Sequence, residues 1–308
     1  MTLFACVGIA FFLITFITTK ERVLTLSSGA SSIRDDLGDL VHNKPWFILL
    51  LLTVLVFITL ALKGGMYIFY FENYLDDAKV ATFLQDIGFN GFIAGLNAVL
   101  TSMGLTEFLW PKDAATSGFS LFNAGGIICM IFGIGFSKPL ADRFGKRDVF
   151  AVALFISTLF ILAFYLFPSD AIGLVFLSQI LHGFFYGITI PLLWAMIADV
   201  ADYSEWKNNR RATAIIFSAM IFGLKLGLSI GGALVAGILA HVGYDAQLAV
   251  QSPETIHGIK LSVSLYASLP FLLGVGCVCL YEINKHKETQ IEQALNERRA
   301  AAGLAQVE

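Results

Sequence analysis

The chain has 308 residues, of which 57% are hydrophobic and only 14% are charged, and its mean hydropathy is +0.76. Soluble domains carry about 25% charged residues, so this composition excludes an ordinary soluble globular protein. The formal net charge of −3 argues against nucleic acid as a partner. Apolar residues fall in runs of about 20, the length that crosses a bilayer core of about 30 Å. The chain is therefore predicted to be an all-α integral membrane protein.

Seven membrane-spanning helices are predicted in chain order. They cover residues 1–19, 45–71, 119–137, 149–167, 171–197, 213–240 and 261–283. The long segment 72–118 is moderately apolar but interrupted by polar residues, so one or two surface or interfacial helices are expected there. Residues 284–302 are strongly polar and are expected to form a solvated terminal helix.

The distribution of basic residues predicts the orientation of these spans. Of the 20 Lys and Arg residues, 15 fall in the segments 20–44, 138–147, 198–212 and 284–308. By the positive-inside rule these segments and the C-terminus are cytoplasmic. Residue 1 then lies outside, and no basic stretch precedes the first apolar run as in a signal peptide.

We interpret residues 1–19 as the last helix of a preceding N-terminal half, which is an expected partner absent from this sequence. Residues 20–44 are predicted to be a cytoplasmic linker. Residues 45–283 form a six-helix bundle with an external insertion at 72–118, and residues 284–308 form a cytoplasmic tail.

Lys225 stands midway along its span, where an ionisable side chain is costly and is a functional candidate. Ser218 and Ser229 share its helix face, being seven residues before it and four after it. Glycines in the same span permit close packing against a neighbouring helix; they are Gly223, Gly227, Gly231 and Gly232. Lys225 can donate hydrogen bonds to substrate hydroxyls or pair with a carboxylate from another helix. A static ion pair is the structural alternative.

Further binding candidates lie in two other spans. Lys63 is a second intramembrane lysine, for which snorkelling toward the outer surface is the alternative. The span 171–197 carries a polar stripe at helical spacing, continued by an aromatic residue near the cytoplasmic end; the stripe consists of Gln179, His182, Tyr186 and Thr189, followed by Trp194. Rings and amides together suit a polyol ligand, although His182 alone is better explained by an interhelical hydrogen bond. The predicted substrate-binding residues are Lys225, Trp194, Lys63, Gln179, Tyr186 and Ser229.

Charges of both signs cluster at two cytoplasmic corners, 138–147 and 198–211. Asp199 and Asp202 stand at the C-terminal end of a helix, where the helix dipole disfavours anions. They are therefore expected to have basic partners. We interpret the two corners as a breakable latch between helical bundles.

Three motifs resemble the major facilitator superfamily, and most closely its glycoside–pentoside–hexuronide:cation symporters, the family of the melibiose carrier. ADVADYSEWKNNRRATAIIFSAMIFGLKLGLSIGG is similar to the family signature between helices ten and eleven. LADRFGKR resembles the superfamily loop between helices eight and nine, although Lys138 stands where a glycine is usual. KGGMYIFYFENY resembles the family's helix seven. No counterpart is assigned to the segment 72–118.

The resemblance implies the C-terminal six-helix bundle of a major facilitator protein plus the last helix of its N-terminal half. It implies cation-coupled symport of a sugar or glycoside by alternating access in the bacterial cytoplasmic membrane. Lys225 then corresponds to the lysine associated with sugar and coupling, and Trp194 to an aromatic near the ligand. The cytoplasmic gate implied by the resemblance consists of Asp142, Arg143, Asp199, Asp202, Glu205, Arg210 and Arg211. In this family the site of the coupling cation, Na⁺ or H⁺, lies on N-terminal helices, and therefore outside this chain.

Two alternatives remain open. One is a carrier of the same fold for a non-sugar solute such as a lipid or another organic anion. The other is a half-bundle that does not transport. An enzyme is not predicted, since no metal-ligand spacing and no nucleophile–base pair stands out, and no catalytic residue, metal site or cofactor is assigned.

Overall fold

A computed structural model describes residues 2–19, 38, 40, 43–106, 109–111, 113–209 and 212–301. Within these residues the regular elements are helices and no strand is present, in agreement with the all-α prediction. The helices are α1 (Thr2–Thr18), α2 (Lys44–Asn73), α3 (Asp77–Asp86), α4 (Phe89–Ser102), α5 (Ala114–Phe144), α6 (Lys146–Ala163), α7 (Ile172–Asn208), α8 (Thr213–His241), α9 (Pro253–Leu261), α10 (Ala267–Leu280) and α11 (Lys285–Ala301). A 3-10 turn, Phe164–Leu166, extends α6, and a π-helical segment, Ser262–Tyr266, joins α9 to α10.

In the described part of the chain, six helical segments are long and apolar enough to cross a membrane. They are α2, α5, α6 with its 3-10 turn, α7, α8 and the continuous α9–α10 segment. They correspond to six of the seven predicted spans. The first predicted span forms α1, which has 17 residues. Its described residues are exposed apart from the half-buried Gly8, so α1 does not pack into the bundle. Most of the predicted linker 20–44 lies outside the described residues.

Side-chain caps fix where several helices begin. Asn43 Oδ1 accepts a hydrogen bond from the Trp46 backbone N–H at 3.1 Å, one residue before α2. Asp113 caps α5 in the same way through the Thr116 N–H at 2.8 Å. Its pKa is held below the usual range because the carboxylate accepts hydrogen bonds from Thr116. Each cap satisfies backbone donors that a helix N-terminus leaves unpaired.

Glycines allow α5 and α7 to approach with their backbones in contact. A Cβ atom at Gly133 would lie 2.0 Å from the Phe184 carbonyl oxygen, and one at Gly187 would lie 2.1 Å from that of Met130. Small residues at helix interfaces are the usual means of close packing in a membrane. The α5–α7 contact therefore depends on the absence of side chains at these positions.

The predicted glycine series of α8 packs against α2. A Cβ at Gly223, Gly227 or Gly231 would lie 2.5–2.6 Å from an atom of α2. A Cβ at Gly232 would have no other group within 4 Å, so Gly232 does not contribute to the contact with α2. The prediction of close packing is confirmed for three of the four glycines. Because this face of α8 meets α2, Lys225 on the opposite side points away from α2.

Aromatic rings fill one end of the bundle, near α3 and α4. Tyr67 meets the Phe122 ring edge-on at 5.0 Å between centroids and stacks on Phe164 at 5.6 Å. Phe71 lies 5.2 Å from Phe122 in the same cluster. Lys63 lies one turn before Tyr67 on α2, directly below these rings.

The segment 72–118 contains two short helices, α3 and α4, within the predicted range of one or two. Val80 and Leu84 of α3 are buried against the bundle. No residue of α4 is buried, and Phe92 and Val99 are 64% and 56% exposed. An amphipathic helix with exposed apolar residues beside a bundle fits a position at the membrane interface.

The structure corrects the predictions for the two charged segments 138–147 and 198–211 and for the tail. Helices α5 and α7 continue well past the predicted spans, so 138–144 and 198–208 are helical rather than loop. Only Gly145, whose φ of 91° favours glycine, separates α5 from α6. The tail helix α11 is not simply solvated, because Ile291 and Leu295 are buried against the bundle. Their spacing of four residues gives an otherwise polar helix one apolar stripe.

Candidate functional site

Lys225 lies midway along α8 on an exposed face of the bundle. Ser218 and Ser229 are exposed on the same face, as their helical spacing requires. A lysine at this depth is costly when it faces hydrocarbon. The face that it occupies is therefore suited to water, a substrate or another protein segment rather than to lipid.

Trp194 stands at the edge of this face, on α7. Its ring is 39% exposed and stacks on Phe217 of α8, with centroids 6.5 Å apart and planes at 13°. Phe217 precedes Lys225 by eight residues, which corresponds to about 12 Å along the helix axis. Ser218, Lys225 and Ser229 thus form one exposed strip along α8, and Trp194 packs on Phe217, the residue next to Ser218. We call these residues, Trp194, Ser218, Lys225 and Ser229, the α8 strip.

The polar stripe of α7 is enclosed by neighbouring helices. Gln179, Tyr186 and Thr189 are all buried. Gln179 packs against Gly126 of α5, and its Oε1 atom is buried without a hydrogen-bond partner among the described residues. Tyr186 stacks on Phe271 of α10 at 5.9 Å. These residues line the inside of the bundle, so the structure separates them from the α8 strip.

Lys63 and His182 contact each other inside the bundle. Lys63 Nζ lies against His182 Nε2, and the two side chains are 6% and 3% exposed. The His182 Nδ1 atom faces Ser157 of α6, 2.8 Å from its Oγ and 3.1 Å from its carbonyl oxygen. The lysine therefore does not snorkel to the outer surface. The expected interhelical hydrogen bond of His182 is present, and the substrate-binding role of Lys63 stays a prediction.

At the end of the bundle where α11 packs, Asp199 pairs with Lys146 at 2.6 Å, at the point where α7 meets the start of α6. Lys146 also pairs with Glu288 of α11 at 2.9 Å. Tyr281 beside this triad is buried, and burial together with the two carboxylates raises its pKa well above the usual range. Asp202 is half-buried one turn further along α7.

Glu205 pairs with Arg299 of α11 at 3.2 Å, and the two side chains are only 6% and 15% exposed. Arg298 Nη1 donates to the Trp206 carbonyl oxygen at 3.1 Å, and so satisfies an acceptor at the end of α7. Asp199 and Glu205 of α7 are thus paired with Lys146 and with the tail helix, respectively. The predicted gate residues Arg210 and Arg211 lie outside the described residues.

Asp142 and Arg143 lie on the last turn of α5. Asp142 pairs with Lys138 at 2.8 Å in a largely exposed i,i+4 contact. Lys285 Nζ donates to the carbonyl oxygens of Asp142 and Arg143, at 2.6 and 3.2 Å, and so caps the helix end. The Arg143 guanidinium lies over the Phe144 ring, 5.1 Å from its centroid.

Sequence reasoning missed the contribution of α11. Its contacts come from Lys285, Glu288, Arg298 and Arg299, which reach α5, α6 and α7. The available signal was the pair Ile291 and Leu295, whose spacing marks a face to be buried. Among the described residues, no group of three His, Cys, Asp or Glu side chains could hold a metal ion.

Long apolar helices, glycine-mediated packing and charges concentrated at the helix ends define a multi-pass helical membrane protein. A family profile described as MFS/sugar transport protein matches residues 1–107 and 110–285. The chain belongs to this major facilitator family. The match includes most of the segment 72–118, for which the sequence analysis found no counterpart. Because the family consists of transporters, the prediction that the chain is not an enzyme is confirmed.

Three relatives illustrate the similarity. A putative glycoside/cation symporter, YagG, of Escherichia coli is 29% identical over 97% of this chain and 56% of its own length. An isoprimeverose transporter of Lactiplantibacillus pentosus is 26% identical over 91% of the chain and 51% of the relative. A putative 2,3-dihydroxypropane-1-sulfonate exporter of Escherichia coli is 23% identical over 98% of the chain and 58% of the relative. The chain spans about half the length of the curated relatives it matches.

Proposed function

We propose that the chain is the C-terminal part of a cation-coupled symporter for a sugar or glycoside that works by alternating access. The observation that carries this proposal is the α8 strip. A lysine and two hydroxyls are exposed at mid-membrane depth on a bundle whose remaining surface is largely apolar. Such a strip fits the central pathway between two helical halves, where carriers of this kind bind their substrates.

The chemistry of the strip suits a hydroxylated ligand. The Lys225 ammonium offers three hydrogen-bond donors, and the two serine hydroxyls can donate or accept. Trp194 supplies an exposed ring face near the cytoplasmic end, against which a sugar ring can stack. Relatives described as glycoside/cation symporter and isoprimeverose transporter support this substrate class. The coupling ion is proposed to be H⁺ or Na⁺.

A second candidate is an organic anion of similar size. A relative described as a putative 2,3-dihydroxypropane-1-sulfonate exporter matches 98% of the chain. Lys225 would then pair with the anionic group, and the serines would bind the hydroxyls. The two candidates differ in the role of Lys225. It donates hydrogen bonds to neutral hydroxyls of a sugar, whereas it neutralises the charge of an organic anion.

We assign the cytoplasmic ion pairs to a gate that holds that end of the bundle closed. Asp199 and Glu205 are fixed to the start of α6 and to α11, so inward opening would require these contacts to loosen. The C-terminus and this gate are placed on the cytoplasmic side by the distribution of basic residues.

Uptake of labelled glycosides by cells that express the complete gene containing this chain tests the proposal. Replacing Lys225→Ala removes charge-assisted hydrogen bonds worth about 1.5–3 kcal/mol each, so uptake should fall at least about tenfold. The matched control is Lys79→Ala, an exposed lysine on α3, which should leave uptake unchanged. Unchanged glycoside uptake in the Lys225→Ala protein would remove Lys225 from the site. Uptake of a small sulfonate in place of glycosides would favour the second candidate.

A further inference from the structure

We propose that Phe217 is a positioning residue for ligand binding, which holds the indole of Trp194 in the orientation that a sugar ring needs for stacking. The inference rests on the proposed function, because it requires that Trp194 contacts the ligand. It adds a residue outside the predicted substrate-binding set, and it gives an aromatic side chain of α7 a defined place beside the exposed face of α8.

Trp194 has one directional contact with the rest of the protein. Its indole lies on the Phe217 ring with the two planes at 13° and the centroids 6.5 Å apart, which is an offset-stacked arrangement. Within the described part of the chain, no second ring contacts Trp194, and its indole N–H donates to no protein acceptor. The plane of the indole is therefore set by Phe217.

Phe217 is itself held by the core of the bundle. It is half-buried and packs against the core cluster to which the buried residues Ile216 and Met220 of α8 belong. Ser218, the next residue, is exposed, so Phe217 stands at the border between the buried and the exposed face of α8. Side chains in close-packed cores keep their rotamers. Phe217 thus gives Trp194 a fixed surface to lie on.

The stacked arrangement leaves part of the indole open to a ligand. Phe217 covers one face of the ring, and the Trp194 residue is still 39% exposed. The face of an aromatic ring is negative and attracts the C–H groups on the apolar side of a sugar. The indole N–H can donate to a sugar hydroxyl. Without Phe217 the indole would sample other rotamers, and the ligand would have to order it on binding, which lowers affinity.

A purely structural role of Phe217 predicts a different result. Such a role would join α7 to α8 whatever Trp194 binds, so its loss would lower the amount of folded transporter and hence Vmax. A positioning role acts on binding and therefore on KM. It also acts through Trp194, so the effect of changing Phe217 should vanish when the indole is absent.

The test is the KM and Vmax of labelled glycoside uptake by cells that express the complete gene. Phe217→Leu keeps an apolar side chain but removes the ring, so KM should rise about two- to tenfold, the range expected for one aromatic pair. Phe217→Tyr keeps the ring and should retain the wild-type KM. In the Trp194→Ala background, Phe217→Leu should cause no further rise in KM. The matched control is Phe222→Leu, which removes an exposed ring of α8 and should leave KM unchanged.

An unchanged KM in the Phe217→Leu protein would refute the proposal, and so would an equal rise with and without the indole. A wild-type KM in the Trp194→Ala protein would also refute it, because the indole would then not contact the glycoside. Each of these results leaves the proposed transport function intact, whereas absence of uptake by the wild-type protein would overturn both. If Phe217→Leu does not reach the membrane, Phe217→Met, which nearly conserves the volume without a ring, should raise KM in the same way.

Discussion

Single residues at the end of the bundle where α11 packs show how burial changes the contribution of an ion pair to stability. The pairs Lys138–Asp142 and Glu205–Arg299 have nearly the same chemistry, but the side chains of the first are 85% and 64% exposed and those of the second 6% and 15%. Water screens the first pair, and exposed pairs contribute only about 0–1 kcal/mol. The second is largely removed from water, so loss of one partner leaves a buried charge uncompensated.

This contrast predicts unequal effects of two matched neutralisations. Glu205→Gln should lower the free energy of unfolding by about 1–3 kcal/mol, because Arg299 is left without its carboxylate. Asp142→Asn should change it by less than about 1 kcal/mol. Thermal unfolding of the detergent-purified protein measures both effects. Equal losses for the two variants would contradict the assignment of Glu205 and Arg299 as a buried pair.

The helices themselves follow closely from sequence, because spans are read from the length of apolar runs. Helix ends were predicted less well. α5 and α7 run on through Asp142 and Asp199, since charged residues are as compatible with a helix outside the membrane as with a loop. Which helices meet was also not predictable. The glycines of α8 predicted a close contact with another helix, but only the structure identifies α2 as that helix.

At the element scale, the α5–α7 contact should not tolerate a methyl group. Gly187→Ala places its Cβ about 2.1 Å from the Met130 carbonyl oxygen, so the backbones must separate, at a cost of about 1–3 kcal/mol. Gly276→Ala on α10 is the control, because nothing lies within 4 Å of that Cβ. It should be neutral or stabilising, since alanine is the better helix former. Thermal unfolding of both variants distinguishes these outcomes, and equal stability would refute the close contact.

The whole molecule separates two groups of residues that the sequence analysis had joined. Lys63, Gln179 and Tyr186 lie inside the bundle, whereas Trp194, Lys225 and Ser229 lie on its outer face. Helical periodicity assigns each residue to a face of its own helix, but it carries no information on which face meets a neighbour. The proposed pathway therefore follows the α8 strip, and Lys63 and Tyr186 lie beside His182 inside the bundle.

Orientation of the α8 strip toward water can be measured with cysteines. Ser229→Cys should react with a charged, membrane-impermeant thiol reagent, because only a hydrated thiol ionises. Ile230→Cys is the matched control, since it is exposed on the same turn but points about 100° away, toward the proposed lipid face. Bound glycoside should slow the labelling of Ser229→Cys in the complete transporter. Equal labelling of both positions would contradict a water-filled pathway along α8.

The sequence by itself determined the membrane class, six of the spans and the motifs of the family, because each depends on local composition and on short-range spacing. The tertiary structure decided which polar residues are enclosed, the contact of Lys63 with His182, and the packing of α11 against α5, α6 and α7. These features depend on residues far apart in the chain. Lys63 and His182 are separated by 119 positions, and Glu205 and Arg299 by 94. Only the packing of helices brings such residues together.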